Sequence, residues 1–327
     1  MDQMKPDLEG WVPVRVYKSD GQHLIDWCFL GARAFREPFF DQTITSCLEH
    51  PFNLLFRHQT PIDVLVDHCR EQPGLKPTGF IFHMSRSGST LISQMFAALS
   101  QNIVISEAPP IDAVLKARFI STSVTEQQTI EWLQAMISAL GQPRVGSEQQ
   151  LFIKFEGWHA LLLPVIRKAF PDVPWIFAYR DPIDVLVSQM KLLGQLLPGV
   201  LHFNLFGSGA AKVLALPKEQ YYALVLAPIC QAVLRNHTDG GLLINYTELP
   251  DAVCSSISDF FNLGWTDAER TRMTSVTARH SKEYSLFTPD SATKQEKATP
   301  GVRQAAKRWL YPIYQELEKV RLAGSAN

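Results

Sequence analysis

The chain predicts an α/β fold, a three-layer αβα arrangement around a central parallel sheet. Three observations carry that reading. From residue 77 onward, short apolar runs alternate with longer stretches at helical spacing, the pattern of βαβ units. One run, Phe80-Ile81-Phe82-His83, is followed at once by a turn rich in Ser, Gly and Thr that opens a helix. The composition is that of a globular chain: 327 residues, 46% hydrophobic and 19% charged.

Residues 1–76 form an opening extension. Trp11 to Tyr17 and Leu24 to Phe29 flank a segment containing Asp20-Gly21, which predicts a β-hairpin. The aromatic-rich segment Phe35 to Phe56, broken by Pro38 and Pro51, is a candidate cap or homodimer element, its aromatics read as packing. The turn-rich run Glu71 to Pro77 is a linker and divides the chain into an extension, 1–76, and a main domain, 77–327. Strands are predicted at 79–83, 103–105, 151–154, 175–179 and 242–244. Helices are predicted at 90–99, 125–140, 158–170, 182–193 and 218–235. Residues 281–302 read as a mobile polar loop.

Charge and cysteine content exclude several classes. A net charge of −1 argues against a nucleic-acid binder. No apolar run reaches the ~18 residues a membrane span needs, and the first residues lack the character of a secretory leader. Five scattered cysteines without C-x-x-C spacing read as reduced thiols rather than disulfides or a zinc site, which points to the cytoplasm. No metal is expected.

The sharpest motif is Ser85-Arg86-Ser87-Gly88-Ser89-Thr90-Leu91, between a strand and a helix. Such a turn aims backbone N–H groups and the positive helix end at one spot, an anion site. An ATP or GTP loop would have lysine after the glycine; here Ser89 stands there, and the cation is Arg86. A second motif is Arg180-Asp181-Pro182-Ile183-Asp184, followed by Ser188. Asp181 suits an N-cap and Pro182 a first helical residue. The eight-residue step from Arg180 to Ser188 lets a guanidinium and a hydroxyl face one crevice.

Together these residues resemble the PAPS-dependent sulfotransferases (PAPS is 3′-phosphoadenosine 5′-phosphosulfate) and imply their P-loop-type fold. Residues 85–91 resemble the family's 5′-phosphosulfate loop, with Ser85 in place of proline, which predicts a less rigid loop. Residues 180–188 resemble its 3′-phosphate motif. The resemblance implies that Ser85, Arg86, Ser87, Gly88, Ser89 and Thr90 hold the 5′ end of PAPS, and Arg180 and Ser188 its 3′-phosphate. It implies transfer of a sulfuryl group to an acceptor hydroxyl, in line and without metal, leaving PAP. The pattern is closest to the protein-tyrosine branch. Glu107, 21 positions after Arg86, is then the base, with Glu156 as the alternative. Lys154 assists the leaving group, a role Arg86 can share. His159, His202, His237 and His280 do not fit the base. Tyr246, in a segment resembling the family's late YE-x-L run, approaches the nucleotide or packs in the core. Arg279, Lys282, Lys294, Lys297 and Arg303 are candidates to close the nucleotide site. A P-loop small-molecule kinase and a non-catalytic nucleotide-binding member are the competing readings.

Overall fold

The computed structural model describes residues 7–191, 196–237, 240–276 and 291–324. The opening hairpin pairs β1 (Trp11–Ser19) with β2 (Gln22–Phe29), and β3 (His58–Pro61) adds antiparallel to β2. This third strand ends in Pro61, which sits at a sheet edge as a residue without an N–H must. Its four residues, His58-Gln59-Thr60-Pro61, carry no apolar run that would mark a strand in the sequence.

The main sheet is parallel and five-stranded: β4 (Pro77–His83), β5 (Asn102–Ser106), β6 (Gln150–Lys154), β7 (Trp175–Tyr179) and β8 (Gly241–Asn245), in the order β5-β6-β4-β7-β8. All five predicted strands are there. β5, β6 and β7 are almost wholly buried, the mark of strands covered on both faces. Alternation divides their side chains: Phe80, Phe82, Ile105, Ile153 and Phe177 join one apolar cluster, and Ile81, Val104, Phe152, Ile176 and Ile244 the other. The predicted three-layer α/β class is therefore what is observed. Val12, Ile25 and Trp27 of the hairpin belong to the first cluster, so both sheets share one core.

Three helical expectations need correction. The predicted helix 158–170 is a 3-10 turn, Gly157–Leu162, followed by a helix, Leu163–Ala169; Pro164 sits at its start, where no N–H is needed. Pro109 and Pro110 open a helix, Pro109–Ile120, that the sequence reading lacked. Within the supposed loop 281–302, Ser291–Lys297 and Pro300–Ala305 are helical; residues 281–290 lie outside the described residues. The C-terminal helix Tyr311–Gly324 is fixed to the sheet by Glu318, which accepts from Tyr179 and from Asn245 Nδ2 at 2.9 Å. All five cysteines are free thiols. Among the described residues no helix is long and apolar enough to cross a membrane.

Candidate functional site

The strand order fixes where a ligand can sit. The chain leaves β4, builds β5 and β6 on one side, then crosses to β7 and β8 on the other. Ligands in such sheets bind at the carboxyl ends of the strands, where the order reverses. Each of the five carboxyl ends carries a side chain with chemistry: His83 on β4, Glu107 after β5, Lys154 on β6, Arg180 after β7 and Tyr246 after β8.

The loop after β4 has an unusual backbone. Ser85, Arg86 and Gly88 all take left-handed φ, of 68°, 53° and 88°. Ser85 donates its N–H to His83 Nδ1 at 3.0 Å, and its hydroxyl accepts from Gln189 Nε2 at 2.8 Å. Proline could do neither: its φ is held near −65° and it has no N–H. The serine is therefore what this loop requires, not a loosened proline. Gly88 is required twice over, because a Cβ there would lie 2.5 Å from Leu249 Cδ1 and 3.0 Å from the Tyr246 ring. Ser87 corrects the expectation that its hydroxyl faces an anion: it donates to the Ala178 carbonyl at 2.7 Å, locking the loop to β7. The helix Ser89–Ala97 then starts, with its first N–H groups and the half-buried Arg86 beside the loop.

On the β5–β6 side, Lys154 is fully buried. Its ammonium donates to Glu107 Oε1 at 2.8 Å and to Thr90 Oγ1 at 3.2 Å. Glu107 sits one residue past β5 in left-handed conformation (φ 53°). That strained geometry costs on the order of 1–3 kcal/mol. Its own N–H donates to the Lys154 carbonyl at 2.8 Å, so backbone and side chain fix the pair together. His83 Nε2 lies 3.3 Å from the same Oε1. Because His83 Nδ1 accepts the Ser85 N–H, the neutral ring carries its proton on Nε2. Burial alone would raise the Glu107 pKa; Lys154 and His83 outweigh it and hold the carboxyl well below the usual range. Both contacts fall on Oε1.

Glu156, the alternative base, belongs to a different network. Trp158 Nε1 donates to Glu156 Oε2 and to Asp112 Oδ1, each at 3.1 Å. His159 accepts the Glu156 N–H on Nδ1, so its Nε2 donates to Asp112 at 3.2 Å, and Lys116 pairs with Asp112. Burial and the nearby carboxylates push the Glu156 pKa up, with His159 opposing. Asp112, Glu156 and His159 have ligand atoms within 4.8 Å of one another. However, His159 presents a protonated nitrogen there, which suits a hydrogen-bond network and not a cation.

On the β7–β8 side, Asp181 caps the helix Pro182–Gln189 by accepting from Ile183 and Asp184 N–H groups. Arg180 is buried and donates to Asp184 Oδ2 through Nε at 3.0 Å and Nη2 at 2.8 Å, and to Ser291 Oγ at 2.8 Å. Its guanidinium lies 3.8 Å above the Tyr246 ring. Tyr246 thus bridges the two motifs, under Arg180 and against Gly88. Ser188 is buried on the last turn of the same helix. Gln295 donates to Asp181 and Asp184, closing the C-terminal segment over this end. Of the five basic candidates, Lys294 is buried beside it, Lys297 is exposed, and Arg303 is spent on the Gln295 carbonyl. Arg279 and Lys282 lie outside the described residues. Sequence reasoning missed His83, Ser291 and Gln295. For His83 the signal was its position as the last strand residue before the loop.

The parallel sheet with its strand-end motifs is a P-loop-type α/β scaffold. Residues 77–225, which contain both motifs, match the model of the sulfotransferase family. Among solved structures the chain is similar to the sulfotransferase STF9 of Mycobacterium avium (15% identity, 79% of this chain and 81% of that one, TM-score 0.50). It is also similar to mouse sulfotransferase SULT7A1 complexed with PAP (11% identity, 78% and 93% covered, TM-score 0.41). Among curated proteins no sequence matches.

Proposed function

We propose that the protein transfers a sulfuryl group from PAPS to an acceptor hydroxyl, giving a sulfate ester and PAP. The observation that carries this is the convergence of two cationic strand ends, Lys154 and Arg180, on either side of the phosphate loop. The N–H groups of residues 86–90, with the Arg86 and Lys154 cations, hold the 5′ end. Arg180, Ser188, Ser291 and Lys294 hold the 3′-phosphate, a dianion that a guanidinium fork fits. Tyr246 supports Arg180 from below.

The step needs a base, a cation and positioning. Glu107 Oε2 takes the acceptor proton while Oε1 stays anchored by His83. The acceptor oxygen bonds to sulfur as the bridging S–O bond breaks, and its electron pair leaves with PAP, met by Lys154 and Arg86. The in-flight sulfuryl carries less charge than a phosphoryl group, so these side chains suffice without metal. Lys154 serves two partners in turn: Glu107 before the donor arrives, the donor's sulfuryl end afterwards. Ser89 at the Walker-lysine position weighs against the kinase reading.

Calorimetric titration with PAP, and separately with ATP and magnesium, tests the proposal. Metal-independent PAP binding, lost in Arg180→Ala, supports it. Binding of ATP–magnesium with none of PAP would sink it in favour of a kinase.

A further inference from the structure

Two short helices of the opening segment carry an inverted pattern. Among the described residues eleven large apolar side chains are exposed, and five of them fall within nine positions: Leu48, Phe52, Leu54, Leu55 and Phe56, at 37–76% exposure. Such clustering is uncommon on the surface of a monomer. The helix Pro51–Leu55 is held instead by its one buried residue, a polar one. Asn53 Oδ1 accepts the Phe29 N–H at 2.8 Å, and Nδ2 donates to the Phe29 and Cys47 carbonyls, each at 2.9 Å. With its attachment made by an amide, this helix leaves Leu54 and Leu55 facing water. The Phe52 ring stands 4.9 Å from both Phe29 and Phe56, which fixes the patch in place.

The preceding helix, Phe40–Leu48, turns Phe40, Thr43, Ile44 and Cys47 inward. Its outer side, with the Glu49 that follows, is polar and shallowly concave, and carries the carboxylates of Asp41 and Glu49. Arg57 follows the patch and is exposed. None of these three charges has an ion-pair partner among the described residues. We propose that this corner is a homodimer surface. A second copy of this chain docks on it about a two-fold axis, apolar patch on apolar patch, and Arg57 of each subunit meets Glu49 of the partner subunit.

Two arguments select a second copy as the occupant. The first is charge. Glu49 precedes the patch and Arg57 ends it, so opposite charges lie at its opposite ends in the chain. A two-fold axis through the patch brings those ends together, and the same ion pair forms twice. An anionic lipid surface would instead be repelled by Asp41 and Glu49. The second is area. Five side chains of this size and exposure, rimmed by the polar side of Phe40–Leu48, make a face on the order of the roughly 800 Å² per subunit that a specific interface buries. The homodimer alternative raised by the sequence for Phe35 to Phe56 thereby narrows to the corner from Asp41 to Arg57. The inference stands apart from the reaction and does not depend on it.

Sedimentation velocity of the full chain, from low-micromolar to hundreds-of-micromolar concentration, tests it. The wild type should dimerise. Leu55→Asp, at a side chain 76% exposed, should keep the wild-type thermal midpoint and weaken the dimer by about 30-fold or more, the effect of losing a hot-spot contact. Arg57→Glu and Glu49→Arg should each weaken it about ten-fold or more by setting like charges together. An equimolar mixture of those two variants should dimerise close to wild-type strength, because each subunit then offers the other its opposite charge at both pairs. A wild type that stays monomeric throughout, a dimer that Leu55→Asp leaves intact, or a mixture no stronger than its components overturns the proposal. A monomeric wild type that floats with phosphatidylserine vesicles overturns it in favour of a lipid surface.

Discussion

Lys154 and Arg180 make an instructive pair. They end strands on opposite sides of β4, both are buried, and each meets a carboxylate at 2.8 Å. The carboxylates differ. The Asp184 side chain is 2% exposed and also accepts from Gln295; the Glu107 side chain is 25% exposed and sits on a strained backbone at the edge of the crevice. Arg180 has a fork of five donors, so it can keep Asp184 and still grip a phosphate. Lys154 is a point charge whose partner is itself a reagent. One pair is a fixed socket and the other is an exchangeable one.

The largest effect should come from breaking the exchangeable pair at its carboxylate. Glu107→Gln should lower turnover by about 10²–10⁴-fold, the contribution of a positioned base, with a much smaller change in PAP affinity. Steady-state kinetics beside calorimetry reads both. A loss of PAP affinity as large as the loss of rate would mean that Glu107 holds the nucleotide and is no base.

Next is the fixed socket. Arg180→Ala should weaken PAP binding by roughly 2–4 kcal/mol through lost charge-assisted bonds. It should also destabilise the fold by about 3–5 kcal/mol, because Asp184 is left buried without its cation. Removing Asp184 as well, in Arg180→Ala/Asp184→Asn, should restore stability but not PAP affinity. Denaturant unfolding and calorimetry separate the two.

A third test concerns pH. Around the Glu107 carboxyl, burial raises the pKa, while the Lys154 and His83 partners lower it further than burial raises it. A depressed folded-state value means that the stability Glu107 contributes is complete above its unfolded value, about 4.3. That stability is lost only as pH falls through the lower folded value. In Lys154→Met only His83 opposes burial, so the carboxyl should protonate at higher pH. The acid limb of the kcat/KM profile should therefore move upward relative to wild type. An unmoved limb would assign it to another group, with Glu156 the first to examine.

The contrast also explains what the sequence could convey. The main-sheet strands were legible because each is a continuous apolar run bounded by turns. Arg86, Glu107, Lys154 and Arg180 were legible because a strand's carboxyl end marks the ligand side. Ser87 was misread because nothing in a hydroxyl-rich loop says which hydroxyl turns inward; its bond to Ala178 exists only once β7 lies beside β4. The same applies to His83, whose tautomer is set by the left-handed Ser85, and to Ser291 and Gln295, which reach Arg180 and Asp184 across more than a hundred residues. β3 was too short and too polar to carry a pattern of its own.

The smallest expected effect sharpens the socket itself. Tyr246 lies 3.8 Å beneath the Arg180 guanidinium, a desolvated cation–π contact. If support of Arg180 is its whole task, Tyr246→Leu should weaken PAP binding by about 0.5–2 kcal/mol. Tyr246→Phe, which keeps the ring, should match wild type. A larger loss in Tyr246→Leu, or a loss in Tyr246→Phe, would mean that the hydroxyl meets the nucleotide directly. The double variant with Arg180→Ala separates these cases. When the ring acts only through the guanidinium, its effect vanishes once Arg180 is gone. A surviving effect would make Tyr246 a ligand contact in its own right, and the fixed socket would then be held from both strand ends, β7 and β8.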